Sequence, residues 1–410
     1  MHLHDINNLI NFQDVKIVKI SEPIQNKVYI TLEPLESHQP CPSCNSMHTI
    51  RRGSKTKIIR HLDLWEYQTL LVVPSIRLSC KSYHINFSWV YSFITGKSRY
   101  TNAFKDKLAK TIDGSTVKHA TRILNIPYTT GERFIKNNLS ITVPCIQDQV
   151  AKQASQSERL VIGIDDFAIR KGHSYNTGIH DLRNNALLYI AKGRKYEQLT
   201  QDNQLMTLVS KLQPVAVVMD LAKSYHNFAK KVFPYAIRIA DRFHINRYIT
   251  DALHDLRKRI SKVLPTKQAK TIKENKNILG KRFDSLKPYE KDILYKMLDI
   301  SDNLAKVYWL KEDLITWYDY SHKFNALHLL DKWIHKGHSL DIPEVNKALK
   351  TFENWRIEIS NYHYCRFTNA SVEGRNNKIK ALQRRSYFLR NRQSHEYRIY
   401  LECNCEALVV

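Results

Sequence analysis

Leu160-Val161-Ile162-Gly163-Ile164-Asp165-Asp166 runs an unbroken apolar stretch into two adjacent carboxylates. Strict alternation would mark a strand with one wet face. A continuous apolar run of this length instead predicts a strand covered on both faces, with the acids delivered at its end. Downstream, residues 175–179 and 186–191 read as two more strands joined by a turn at Asn184-Asn185, and residues 204–212 have the spacing of an amphipathic helix. Pro214-Val215-Ala216-Val217-Val218-Met219 is a second doubly buried run, and it ends on Asp220.

Three strands, a helix and a fourth strand, with acids closing the first and fourth, is the layout of an RNase H-like α/β core. Hard divalent cations such as Mg2+ or Mn2+ take carboxylate oxygens, and two of them about 4 Å apart can activate an attacking oxygen and stabilise a leaving one in phosphoryl displacement. The bland alternative is that Asp165 and Asp220 only cap strands and turns. A third carboxylate lies far downstream in Ser371-Val372-Glu373-Gly374-Arg375-Asn376-Asn377-Lys378-Ile379-Lys380. Val372, Ile379 and Leu382 share one helical face, and Glu373 beside them is expected to point inward, where a bound cation would be its partner. Arg375, Lys378, Lys380, Arg384, Arg385, Arg390 and Arg392 make the surrounding strip basic, which suits phosphates; a solvated basic helix is the plainer reading.

Toward the N-terminus, residues 150–158 are polar and rich in Gln and Ser, and read as a linker. Before them, residues 102–112 place Phe104, Leu108 and Ile112 on one helical stripe. Two further helices, over 117–124 and 128–138, flank a break at Asn125-Ile126-Pro127. Two short helices around a tight break fit a helix-turn-helix whose second member, with Arg133 and Lys136, enters a DNA major groove; a simple packed helix pair has the same pattern. Earlier still, residues 15–35 alternate as strands. Cys41-Pro42-Ser43-Cys44 then precedes strand-like runs over 51–60 and 65–73, and Cys80 and His84 follow. A C-x2-C knuckle, β-hairpins and a second ligand pair make the layout of a zinc ribbon, with Cys41, Cys44, Cys80 and His84 around one tetrahedral Zn2+ and with His48 and His61 as alternatives for the fourth place.

The whole chain agrees with such parts. Its 410 residues, 43% hydrophobic, suffice for several domains, and 64 Lys and Arg against 39 Asp and Glu give a formal net charge of +25. That excess points to a polyanionic partner. Asp5 and Asp14 interrupt any secretory core at the start, and no run of about eighteen apolar residues occurs, so a soluble cytoplasmic protein is expected. Seven cysteines, an odd number, argue for metal ligation or buried thiols over a disulfide framework.

Four strings now carry a resemblance: Gly163-Ile164-Asp165-Asp166-Phe167-Ala168-Ile169-Arg170-Lys171-Gly172-His173, Met219-Asp220, Asp241-Arg242-Phe243-His244, and Glu373-Gly374 through Asn376-Asn377-Lys378-Ile379-Lys380. Together they resemble the ISL-three family of bacterial insertion-sequence transposases, from ribbon through helix-turn-helix to catalytic domain. The resemblance implies an RNase H-like D-D-E enzyme with Asp165, Asp220 and Glu373 as the triad, and Asp241 and His244 in support. It also implies binding of terminal inverted repeats in double-stranded DNA, cleavage and strand transfer, a homo-oligomer bridging two ends, and work at the bacterial nucleoid. Departures are Asp166 where Glu is usual, Tyr83 in place of a ribbon cysteine, and Phe388 where Gly is common. An inactive transposase-derived DNA-binding regulator and a structure-specific nuclease are the competing readings.

The expected organisation is an α+β multidomain chain. Residues 1–98 form the ribbon, 99–149 the helix-turn-helix, and 150–244 with 361–410 the catalytic core. Residues 245–360, rich in Lys, Leu and aromatics at helical spacing, form a helical insertion in which Tyr308, Trp309, Trp317, Tyr318, Trp333 and Trp355 mostly pack a core, with some left to touch DNA.

Overall fold

The computed structural model describes residues 12–170, 174–386 and 391–404. The chain forms two compact units, one reaching to Ile141 and one starting at Thr142, and the division falls within the helix Tyr128–Ser155. That helix corrects the linker reading. Val150 and Ala154 lie four residues apart and are both buried, a stripe hidden by the Gln and Ser around it.

In the first unit, β1 (Val15–Ile20), β2 (Lys27–Pro34), β3 (Thr49–Arg60), β4 (Gln68–Cys80) and β5 (Asn86–Ser88) share one sheet in the order β1-β2-β4-β3, with β5 on β4. Alternation does the work here. Val28, Ile30 and Leu32 of β2 alternate onto one buried face, and they share a core with Leu71, Val73, Ile76 and Leu78 of β4. β3 and β4 pair in antiparallel register from Thr49↔Cys80 to Arg60↔Leu70, so Cys80 ends beside the start of β3. Helices Asn102–Thr111 and Val117–Ile123 follow, capped by the Thr101 and Thr116 hydroxyls, which accept from the backbone N–H groups of Phe104 and His119. Asn125, at φ +49°, turns the chain into the long helix. A Cβ on Gly131 would lie 2.2 Å from Thr121 Cγ2, so the two helices meet at a point only glycine allows.

In the second unit, β6 (Val161–Arg170), β7 (Ser174–Asp181), β8 (Ala186–Lys192), β9 (Ala216–Met219) and β10 (Ile237–Ala240) form a sheet in the order β10-β9-β6-β7-β8. β6, β7 and β8 are an antiparallel meander, while β9 and β10 run parallel to β6. The strand at 160–164 is covered on both sides, as its composition requires. Ile162 and Ile164 pack with Val217, Met219, Leu205 and Phe228 on one face, and Val161, Val218 and Ile239 face the other. Asp165 and Asp166 do not end β6, however. Its parallel partner β9 stops at Met219, but the antiparallel ladder with β7 continues to Arg170↔Ser174 and carries the strand onward.

Helices from Arg242–Ile260 to Tyr362–Cys365 occupy the stretch expected to be helical. Their apolar faces merge with Val161, Val218 and Ile239 into one core. Tyr308, Trp317, Tyr318 and Trp333 are buried in it, and the two indole N–H groups donate to the carbonyls of Ala326 and Leu310. Trp309 is exposed. The Ala370–Arg385 helix packs against β6 and buries Val372, Ile379 and Leu382, and the Arg392–Asn404 helix lies along β8. Asn404 exchanges two hydrogen bonds with the Leu187 backbone, at 2.8 and 3.0 Å, and so covers an otherwise open sheet edge. Among the described residues no helix is long and apolar enough to cross a membrane.

Candidate functional site

Parallel register brings three acids into one row. Ile164 pairs with Met219 across β6 and β9, and Ala240 pairs with Met219 across β10 and β9. The next residues on those three neighbouring strands are Asp165, Asp220 and Asp241. Asp165 accepts from the Asp166 N–H at 2.8 Å through Oδ1 and from Asn376 Nδ2 at 2.9 Å through Oδ2. Burial pushes its carboxyl up to about 7; the Asp166 and Asp220 charges add to this, while the Asp166 N–H and His244 oppose it. Asp166 itself is engaged by Arg194 at 3.1 Å.

Asp220 Oδ1 lies 3.5 Å from His244 Nδ1, and His244 Nε2 lies 4.0 Å from Asp241 Oδ2. The imidazole thus stands between two carboxylates. Asp241 is buried, which raises its pKa, and its Oδ1 accepts from the Asn369 N–H at 3.1 Å. Glu373 sits in the first turn of the Ala370–Arg385 helix. It is exposed and does not point into the core as expected: Val372, one residue earlier, takes the buried face, and the next position along a helix is turned away from it. Glu373 lines a cleft of about 440 Å³ together with Asp165, Asp241, His244, Asn376 and Lys380.

Two asparagines hold the site together in ways that no local pattern reveals. Buried Asn369 donates from Nδ2 to the Ile164 carbonyl at 3.2 Å, and its own carbonyl accepts from the Glu373 N–H at 2.9 Å. It therefore joins β6, Asp241 and the Glu373 helix at one point. A Cβ on Gly163 would fall 2.8 Å from its Oδ1, so that strand position must be glycine. Asn376 lay within a quoted motif, but only the fold shows that it faces Asp165.

The basic strip divides. Arg375 is buried, with Nη1 3.1 Å from His180 Nδ1 and Nη2 donating to Asn185 at 2.5 Å, so its assignment to DNA contact is corrected to a structural one. Arg385 is committed to Glu402, and Arg392 to Glu396 at 2.8 Å. Lys378, Lys380 and Arg384 are exposed, while Arg390 and Phe388 lie outside the described residues. In the first unit, Arg133 and Lys136 are exposed on the Tyr128–Ser155 helix, with Lys136 3.5 Å from Glu132.

A second group of ligands is more tightly drawn. The sulfurs of Cys41, Cys44 and Cys80 all lie within 4.8 Å of one another, with Cys44 Sγ and Cys80 Sγ 3.6 Å apart. The knuckle is a tight turn in which Asn45, at φ +56°, donates to the Cys41 carbonyl. The Tyr83 N–H donates to Cys80 Sγ at 3.4 Å and lowers that thiol's pKa. Tyr83 therefore supports the sulfur beside it through its backbone. His84 is exposed and stands outside the group, as does His48. His61 is held by Thr101 at 2.9 Å, with its pKa pushed down to about 4, first by burial and then by Arg60. Among the described residues the thiols are the one group of three or more such side chains within that distance; Asp165, Asp220 and Glu373 do not all fall inside it.

A family profile described as a transposase, of the ISL-three D-D-E type, matches residues 162–399. The chain belongs to the ISL-three family of transposases. A second profile, the zinc-finger of transposase IS204/IS1001/IS1096/IS1165, matches residues 37–84 of this transposase and encloses the three thiols. Along nearly its full length the transposase is similar to the transposase for insertion sequence element IS1001 of Bordetella parapertussis, with 22% identity over 371 residues covering 89% of this chain and 88% of the relative. This enzyme is therefore an insertion-sequence DNA transposase with a mixed α/β fold and an N-terminal zinc-ribbon segment. Neither the regulator nor the nuclease reading is favoured.

Proposed function

We propose that Asp165, Asp220 and Glu373 are the carboxylates with which this transposase holds Mg2+ or Mn2+ while it cuts its element's ends and joins them to new DNA, on a core of the RNase H-like kind. The observation that carries this is the row formed by parallel register: Asp165 and Asp220 follow directly on paired residues of adjacent strands, and Glu373 lines the same cleft as Asp165. The donor set suits a hard cation, because the row crowds Asp165, Asp220 and Asp241 around the single imidazole of His244. When bound, divalent cations supply Lewis acidity at the phosphate and stabilise the leaving oxygen. The protein's own part is positioning. Asn376 fixes one oxygen of Asp165, His244 holds Asp220 in register with Asp241, and Lys380 places a positive charge at the cleft for the DNA backbone.

The remaining parts take complementary roles. Residues 150–244 and 361–410 carry the chemistry, 245–360 brace it, and 1–149 recognise the terminal inverted repeats. Cys41, Cys44 and Cys80 hold Zn2+, with exposed His84 recruited as the fourth ligand. The Val117–Ile123 helix and the start of Tyr128–Ser155 act as a helix-turn-helix, with Arg133 and Lys136 reaching the DNA. A homo-oligomer brings two ends together, at the nucleoid in the cytoplasm.

The test uses labelled element ends and Mg2+. Asp165→Asn, Asp220→Asn and Glu373→Gln should each reduce cleavage by about a thousandfold or more while end binding stays intact. Wild-type cleavage in all three variants would remove the assignment.

A further inference from the structure

A cleft of about 880 Å³ opens within the first unit, between the turn at 95–100 and the helices Asn102–Thr111 and Tyr128–Ser155. Lys97, Arg99, Lys105 and Arg133 line it, against one carboxylate, Asp106, and the rings of Tyr100 and Phe134 line it as well. We propose that this cleft grips the sugar-phosphate backbone of DNA at the element's end and stacks one unpaired base against Phe134. The proposal rests on the reading of this unit as the DNA-binding part, and adds a contact that is indifferent to sequence.

Charge is the first argument. Among the described residues none of the four cations takes part in an ion pair, whereas Lys136, on the same helix as Arg133, is matched by Glu132. Neighbouring cations are also crowded. Burial lowers the pKa of Lys57 and of Lys105; Arg99 lowers the first further, while on the second the opposing pull of Asp106 exceeds the lowering by Lys57. Four cations against one carboxylate leave the cleft with excess positive charge, and at Lys105 that charge is partly desolvated, so an anion entering the cleft is favoured.

Shape and aromatic content are the second. A phosphate alone would leave most of 880 Å³ unfilled, while the volume lies within the range that nucleotide-sized ligands occupy. Tyr100 and Phe134 meet edge to face, with centroids 5.2 Å apart. Arg133 Cζ and Lys105 Nζ lie 5.5 and 5.6 Å from the Phe134 centroid. A basic groove with an aromatic platform between its cations is how proteins hold unstacked nucleotides without reading their sequence. Strand cleavage at an element's end creates the frayed nucleotides that such a platform would accept.

The experiment uses the full chain and measures fluorescence anisotropy on three DNAs: an element end, a scrambled duplex, and that duplex with two unpaired nucleotides. The Lys97→Gln/Arg99→Gln variant should bind the scrambled duplex about tenfold more weakly at 0.1 M salt. Its log-log salt slope should be shallower by one to two, at about 0.9 per phosphate lost. Phe134→Leu should erase a preference of about fivefold to tenfold for the unpaired DNA. Thermal melting and zinc content check that each variant folds; should the Phe134 variant fail, the double variant, whose side chains are both exposed, decides alone. An unchanged salt slope in a folded double variant that still binds element ends would overturn the cleft and leave the parent reading standing. A wild-type protein that binds none of the three DNAs would overturn both, and displacement of DNA from the cleft by micromolar mononucleotide would overturn the choice of DNA as its occupant.

Discussion

The thiol cluster and the carboxylate cleft gather their ligands in opposite ways. Cys41, Cys44 and Cys80 are brought together by one turn and one antiparallel pairing, β3 with β4, and their sulfurs already lie within 4.8 Å of one another. Asp165, Asp220 and Glu373 come from two parallel strands and a helix more than two hundred residues beyond the first of them, and they do not share that distance. The contrast matches the roles proposed for the two metals. A structural ion stabilises the fold that holds it, so its ligands are close and local. A catalytic ion must leave room for substrate, and Asp165 and Glu373 line an open cleft, where burial pushes the Asp165 carboxyl up.

The sharpest way to break that comparison is to remove one ligand from each side. Cys80→Ala should abolish stoichiometric zinc in metal analysis and unfold much of the first unit, since structural zinc contributes on the order of 10 kcal/mol in small domains. Asp165→Asn should do the reverse to stability. The Asp165 pKa is raised from 3.8 to about 7, so the charged form is disfavoured in the fold. The wild type therefore keeps its full stability from this group below about pH 4 and loses it as pH rises through 7. Asparagine escapes that loss, and Asn376, whose buried Oδ1 has no partner, can turn its amide to accept from it. Metal-free Asp165→Asn should melt roughly 5 °C above wild type at pH 8 and at the same temperature at pH 4, while cleavage disappears. A lower melting temperature at pH 8 would show that the carboxylate site is built like the thiol site.

Smaller effects sharpen the picture. Because a cation must displace the Asp165 proton, Mn2+ affinity measured by electron paramagnetic resonance should rise about tenfold per pH unit up to 7 and level off above it. Tyr83→Cys restores a fourth thiol beside Cys80 and should slow zinc loss to a chelator by about tenfold. His84→Ala should speed that loss by about tenfold, since it removes the fourth ligand recruited to the three thiols. An unchanged rate in His84→Ala would show that the fourth place is not filled by that imidazole.

Legibility followed the same division. Leu160 to Ile164 could be read as a doubly covered strand because the pattern is local, and its odd and even residues do enter two different cores. The same stretch misled about where the strand ends, because two adjacent acids look like a boundary unless the β7 ladder beyond them is known. Residues 150–158 looked like a linker because composition outweighed the spacing of Val150 and Ala154. Arg375 read as a phosphate contact, since a basic run does not reveal which member turns inward to His180 and Asn185. Asn369 left no signal at all. Its role exists only where a strand, a helix start and Asp241 meet, and no local pattern encodes a meeting of distant segments.

Anomalous scattering from crystals soaked in Mn2+ would locate the catalytic cation by its own signal. Manganese should be bonded to carboxylate oxygens of both Asp165 and Asp220, on the side of the cleft lined by Glu373. Manganese bound elsewhere, with Asp165 and Asp220 both free of it in soaks that saturate cleavage activity, would contradict the account.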